Sequence, residues 1–200
     1  EESLASHKQF VAGLSQYDNV HLVGIITDDE SRSDEEPPFL DKSRFKFPLS
    51  KPFDMIQYNN IYHPITDLAE VVDTIPVSTI RPDLDGRYRH LPMVHQYKDS
   101  YLYSMAMSVV QSSAETMKLN QQTVIADDFH IPLNKRAEAT LNWYPKGIEN
   151  YSFTGVLSSW QSLQSGEAPL VSPDVFKDAI VIIGASAVGL QYNNIYHPIT

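Results

Sequence analysis

Ser172-Pro-Asp-Val-Phe-Lys-Asp-Ala-Ile-Val-Ile-Ile-Gly184 sets a helix start directly before the strongest buried-strand signal in the chain. Ser172-Pro-Asp174 is a well-formed helix start, because Pro suits the first turn, where no N–H is needed. Ala179-Ile-Val-Ile-Ile183 lacks polar alternation, the pattern of a strand covered on both faces. Working outward, helical and strand patterns alternate. Residues 3–14 read as a helix with Leu4, Phe10, Val11 and Leu14 on one face. Asn19–Ile26 reads as a covered strand, and 66–73 as a short helix with Thr66 as N-cap. Residues 74–80 and 87–97 read as two strands around the Arg81–Gly86 turn, which makes a hairpin.

Residues 100–118 give the best helix pattern, with Leu102, Met105, Ala106, Val109, Val110, Ser113 and Met117 at three- and four-residue spacings and Ser100 as N-cap. Short strands follow near 122–126, 129–133 and 139–144, then a helix from Ser152 to Gln164 that ends near Gly166. The class expected is α/β: a mixed sheet with flanking helices in a single domain over 1–190.

Composition narrows the functional classes. The 200 residues carry a net charge of −10, which argues against nucleic acid, since phosphate contacts draw on clustered Lys and Arg. Zero Cys removes a disulfide framework, a thiolate zinc site and a cysteine nucleophile. With 10% aromatic residues and only 20% charged, the chain has the material for a core. No apolar run approaches the roughly 20 residues of a membrane helix. A start at Glu1, without Met or signal peptide, reads as a soluble piece of a longer protein.

Gln57–Thr66 recurs unchanged as Gln191–Thr200, and the residues before the two copies do not match. A genuine structural repeat is degenerate across a whole supersecondary unit. The second copy is therefore a tail of doubtful origin, and a paired His63/His197 metal site is set aside.

Other motifs fail on their own chemistry. Six acids between Asp28 and Glu36 fit a solvated loop better than a calcium cage. Asp83-Leu-Asp-Gly86 looks like the centre of a calcium loop, yet Arg81 and Pro92 fall where the end carboxylates belong. Its turn reading is strong, with Asp supporting the turn and Gly supplying positive φ. Gly184-Ala-Ser-Ala-Val-Gly189 lacks the middle glycine of a dinucleotide fingerprint, and Val188 breaks the pattern of a nucleophile elbow at Ser186. The seven histidines form no metal pattern, and His90 and His95 fall on opposite faces of a strand. No catalytic constellation, metal site or cofactor is expected.

The order of several segments resembles one family. Leu4-Ala5 in a helix precedes the Asn19-Val-His-Leu-Val-Gly24 strand. Asp83-Leu-Asp-Gly-Arg-Tyr-Arg-His-Leu-Pro92 and Tyr101-Leu-Tyr-Ser-Met-Ala106 follow. Then come Ile131-Pro132, Leu141-Asn-Trp-Tyr144, Tyr151-Ser-Phe153 and the closing Phe176–Leu190 block. Together they resemble the second type of CHASE domain, the cyclase- and histidine-kinase-associated sensory extracellular domain. The family has a further strand and helix upstream of Glu1, and an acidic residue and Thr-Pro pair where the duplicated decapeptide stands.

The resemblance implies an extracytoplasmic, periplasmic sensory module of a bacterial membrane receptor, not itself an enzyme. Flanking membrane helices would couple it to a cytoplasmic cyclase or kinase. Its partner would be an unknown small-molecule or ionic signal, and its assembly a two-fold dimer. The residues expected to meet a ligand are Arg87 and Arg89, with forked donors for anions, and Trp143 and Tyr144, with large contact area. The rival readings are a stand-alone periplasmic small-molecule binding protein and an α/β hydrolase or nucleotide-binding enzyme built on Ser186.

Overall fold

A computed structural model describes residues 2–28, 37–47, 53–120, 122–143 and 148–184. Within them the chain divides into two compact units, one running to Leu141 and the other beginning at Asn142. The first contains helices α1 (Glu2–Leu14), α2 (Thr66–Val71) and α3 (Met105–Ser113). Its first strands are β1 (Ile25–Thr27), β2 (Gln57–Tyr58), β3 (Asn60–Tyr62), β4 (His90–Pro92) and β5 (Val94–Tyr97). They are followed by β6 (Ser100–Tyr103), β7 (Met117–Asn120), β8 (Thr123–Ala126), β9 (Phe129–Pro132) and β10 (Glu138–Thr140). The second unit holds α4 (Phe153–Gln164) and a 3-10 turn at Pro173–Phe176.

The α/β class is borne out, with the strands shared among four small sheets in the described residues. One is mixed: β2 runs parallel to β5, and β5 antiparallel to β6. A second is the antiparallel meander β7–β8–β9. The pairs β1–β3 and β4–β10 are antiparallel.

Segment 74–79 joins these pieces. Gly24 N–H donates to the Pro76 carbonyl at 2.8 Å, and Ser78 N–H to the Gly24 carbonyl at 3.0 Å. On the other side Val77 N–H donates to the Tyr103 carbonyl, and Met105 N–H to the Val77 carbonyl, both at 2.8 Å. Val77 thus lies between parallel bridges to Gly24 and Ser104. Space at Gly24 is tight, since a Cβ there would lie 3.2 Å from the Tyr62 carbonyl oxygen. Ile26, Tyr58, Ile61, Val77, Tyr97 and Leu102 form the core around this junction. A second cluster packs Met107 of α3 and Tyr103 against Val124 and Leu133.

A third small cluster, Ala69, Val72 and Ile75, anchors α2. The end of this short helix is closed by Lys42. Its ammonium donates to the carbonyls of Ala69, Glu70 and Val72 at 2.7–2.8 Å. Three donors meet three carbonyls that the helix leaves unpaired, and the positive charge suits the negative end of the helix.

Several expectations are corrected. The best helix pattern, 100–118, divides into β6, α3 and β7. Its aromatic-rich start, Ser100–Tyr103, pairs with β5 across the Lys98-Asp99 turn. The helix begins later, capped by Ser104, whose hydroxyl accepts from Met107 N–H, so Ser100 is not its cap. The expected hairpin of 74–80 with 87–97 does not form: β5 pairs with β6 and β2, and β4 with β10. The turn between them does form, with Gly86 at φ +79°. Thr66 is the first residue of α2 rather than its cap. The expected strand 19–26 is regular only at Ile25–Thr27, preceded by isolated bridges at His21 and Gly24.

The run chosen as the strongest strand, 179–183, has no regular structure. Ile180, Val181, Ile182 and Ile183 are all exposed. Composition marks a segment able to join a sheet but does not supply a partner edge. The start before it is borne out as a single turn, with Ser172 accepting from Asp174 N–H. Ser152 caps α4 by accepting from Gly155 N–H, and Gly166 follows its end at φ +76°.

Two stability predictions follow from these contacts. Leu102→Ala removes a fully buried side chain at the junction, and its urea unfolding is expected to show a loss of about 2–5 kcal/mol. Lys42→Met keeps the stem and deletes the three charged hydrogen bonds, with an expected loss of about 1–3 kcal/mol in the same assay.

Candidate functional site

In the first unit, segment 53–58, β4, β5 and the turn between β9 and β10 surround a small cleft that is open to solvent. Its polar lining is Tyr58, Arg81, His95, Arg136 and Glu138. Its apolar lining is Met55, Ile56, Pro92 and Val94.

Each wall has a local cause. The turn is organised by Asn134, whose side-chain carbonyl accepts from Arg136 N–H at 2.8 Å and Glu138 N–H at 3.1 Å. Its Nδ2 donates to the Glu138 carboxylate at 2.8 Å. Between the two charged residues, Ala137 takes φ +59°, a strained conformation for a residue with a Cβ. Its carbonyl receives Met93 N–H, which ties the turn to the strip between β4 and β5. Glu138 is registered opposite Pro92. Segment 53–58 is clasped to the same turn by Asp54 N–H, which donates to the Lys135 carbonyl at 2.8 Å.

Arg81 comes from the end of the 74–79 strip. The parallel run continues from Ile26 N–H, which donates to the Thr79 hydroxyl at 3.0 Å, to an ion pair of Arg81 with Asp28. The guanidinium lies 5.0 Å from the centre of the Tyr58 ring, within cation–π range. Burial raises the Tyr58 phenol above its ordinary pKa, so it stays protonated.

His95 is the most buried ionisable group of the lining, at 4% exposure. Its Nε2 has no hydrogen-bond partner. Burial pulls its pKa down to about 4, so the ring is neutral at ordinary pH. A buried polar nitrogen without a partner in the protein costs free energy unless a group from outside the chain satisfies it. The Arg136 guanidinium has no side-chain partner among the described residues.

The sequence candidates lie elsewhere. Arg89 forms a fork with Asp85, Nη1 to Oδ1 at 2.9 Å and Nη2 to Oδ2 at 2.7 Å, and its Nη1 also reaches Asp83 at 3.0 Å. His90 donates from Nδ1 to the other Asp83 oxygen at 2.8 Å. The Arg89 hydrogen bonds hold Asp85 down at about pKa 2, and His90 with Arg89 lowers Asp83. This network builds the Asp83–Gly86 turn from within. Arg87 gives its backbone N–H to Asp85 at 3.3 Å. Trp143 belongs to the second unit, and Tyr144 lies outside the described residues. So do Ser186, the glycine turn beyond Gly184 and the second decapeptide; the first decapeptide forms β2, β3 and the start of α2.

One Ser–His contact is explained by structure alone. Ser43 is fully buried and donates to the Ile75 carbonyl at 2.7 Å, so its hydroxyl oxygen is left to accept from His63 Nε2 at 3.2 Å. Its proton is committed and its oxygen is out of reach of a substrate. Among the described residues there is no group of His, Asp and Glu able to hold a metal ion.

Sequence reasoning missed the cleft residues. Arg81 was visible only as the start of a turn, and Arg136 sits in an unremarkable Asn-Lys-Arg-Ala-Glu stretch. His95 carried one usable signal, a polar residue between Val94 and Tyr97 in an apolar strand.

Burial of His95 predicts the pH dependence of folding. As pH falls, the unfolded chain takes up the proton first, near pKa 6.5, while the folded ring resists it to about 4. The stability is fully present above pH 6.5 and is lost progressively towards pH 4, by on the order of 3 kcal/mol. Burial of His63 acts in the same direction. Urea midpoints measured across this window are expected to fall more steeply for the wild type than for His95→Leu.

A family model described as CHASE2 domain matches residues 1–200, the whole chain. No match was found among the curated proteins or among the solved structures. The chain belongs to the CHASE2 family, a family of extracellular sensory domains of signalling receptors.

Proposed function

We propose that this chain is the ligand-responsive, periplasmic sensory domain of a bacterial transmembrane receptor that controls a cytoplasmic cyclase or kinase. The match to the sensory family over the whole chain carries this reading. The cleft supports it with a concave, mixed polar and apolar surface of the kind that small ligands use. No helix among the described residues is long and apolar enough to cross a membrane.

The mechanism is a population shift. A signal molecule moves a receptor between two states only by binding one of them more tightly. In a two-fold dimer, a small change at each copy passes to both membrane anchors together. Among the sequence candidates, Arg89 meets an anion only by giving up Asp85 or Asp83, which sets the cleft ahead of it.

Two measurements test the reading. In intact cells, a receptor carrying Leu84→Cys at the fully exposed tip of the Asp83–Gly86 turn is expected to react with a membrane-impermeant maleimide. Labelling only after lysis contradicts the location. In membranes, deletion of residues 1–184 is expected to leave output turnover intact and unresponsive to the external medium. A deleted receptor that still responds as the intact one does contradicts the sensory role.

A further inference from the structure

The cleft gives its own account of what it binds. Arg81 is already balanced by Asp28, and Glu138 accepts a hydrogen bond from Asn134. Arg136 and His95 Nε2 are the lining groups with donor capacity left over. One is a charged fork near solvent, and the other is the Nε2 of a neutral imidazole, a donor in its Nε2–H tautomer, in the most buried part of the lining. Both suit carboxylate oxygen, and charge-assisted bonds from Arg are among the stronger ones. With Arg81 paired to Asp28, Arg136 is the one guanidinium of the lining left for an anion, which matches a single negative charge better than two. A cationic ligand would meet two guanidinium groups. Met55, Ile56, Pro92 and Val94 offer an apolar wall for a short hydrocarbon group.

We propose that this cleft binds a small organic monocarboxylate, with the carboxylate between Arg136 and His95 and the alkyl group against the apolar wall. The signalling role of such a ligand rests on the sensory reading above; the binding itself does not. A bound carboxylate gives His95 Nε2 the partner it lacks in the free protein. Arg136 and Glu138 flank Ala137 on one turn, and the Glu138 carboxylate is held by Asn134.

The test uses the full chain and sodium propionate. Ring resonances of His95 are followed by NMR during titration, with propionamide as the neutral isostere and inorganic phosphate as the dianion. Propionate is expected to shift the His95 signals saturably and propionamide only weakly. Arg136→Gln, an exposed position that leaves the fold intact, is expected to weaken propionate by about tenfold. No saturable shift up to about 100 mM propionate, where even a millimolar site is filled, overturns the proposal. An equal response to propionamide or phosphate, or an Arg136→Gln titration identical to wild type, also overturns it. Propionate binding with unchanged receptor output leaves the site standing and counts against the sensory reading. A responsive receptor whose domain ignores propionate counts against the site alone.

Discussion

Segment 74–79 is hydrogen-bonded along both edges, through Pro76 and Ser78 to Gly24 and through Val77 to Tyr103 and Met105, while the Val77 side chain is buried, and the first unit is arranged around that double engagement. A strip paired on one side only could slide along its neighbour. Paired to Gly24 on one side and to Tyr103 and Met105 on the other, segment 74–79 is fixed in register. That fixes the core residues Ile26 and Leu102 relative to each other. It also sets the start of α3, because the Met105 N–H that reaches Val77 lies directly after the cap at Ser104. Pro76 fits this arrangement: it lacks a donor, and what the strip needs from it is a carbonyl for Gly24.

The candidate site follows from the same register. One more step along the paired run places Arg81 beside Asp28 and over the Tyr58 ring. From the other direction, the Asn134 turn carries Arg136 and Glu138 to the cleft, and Met93 N–H fastens that turn next to β5. Segments far apart in the chain therefore converge on a histidine whose ring nitrogen has no partner.

How much of this the sequence revealed varies with the physics of each element. Helices α1 and α4 and strands β8 and β9 were legible in outline because their patterns are local. The family was legible from the order of its segments, although each was weak alone. The helix expected over 100–118 failed because Tyr101, Leu102 and Tyr103 satisfy a helical period and a strand equally; pairing with β5 decides between them. The apolar run at 179–183 failed for the opposite reason, since strand composition needs a partner edge and none pairs with it among the described residues. The cleft was not legible at all. Arg81, His95 and Arg136 meet only after β5 has paired with β2 and β6, and β10 with β4. Arg89 stood out in the sequence because it lies beside Asp83 and Asp85, and that same proximity engages it within its own turn.

Native-state hydrogen exchange of the backbone tests the central constraint most directly. The amides of Gly24, Val77, Ser78 and Met105 are expected in the slowest class, opening together with a common free energy equal to that of global unfolding. Exchange of these amides as fast as those of the exposed Leu84–Gly86 turn, or separately from one another, would contradict the claim that one doubly paired strip holds the fold and its cleft together.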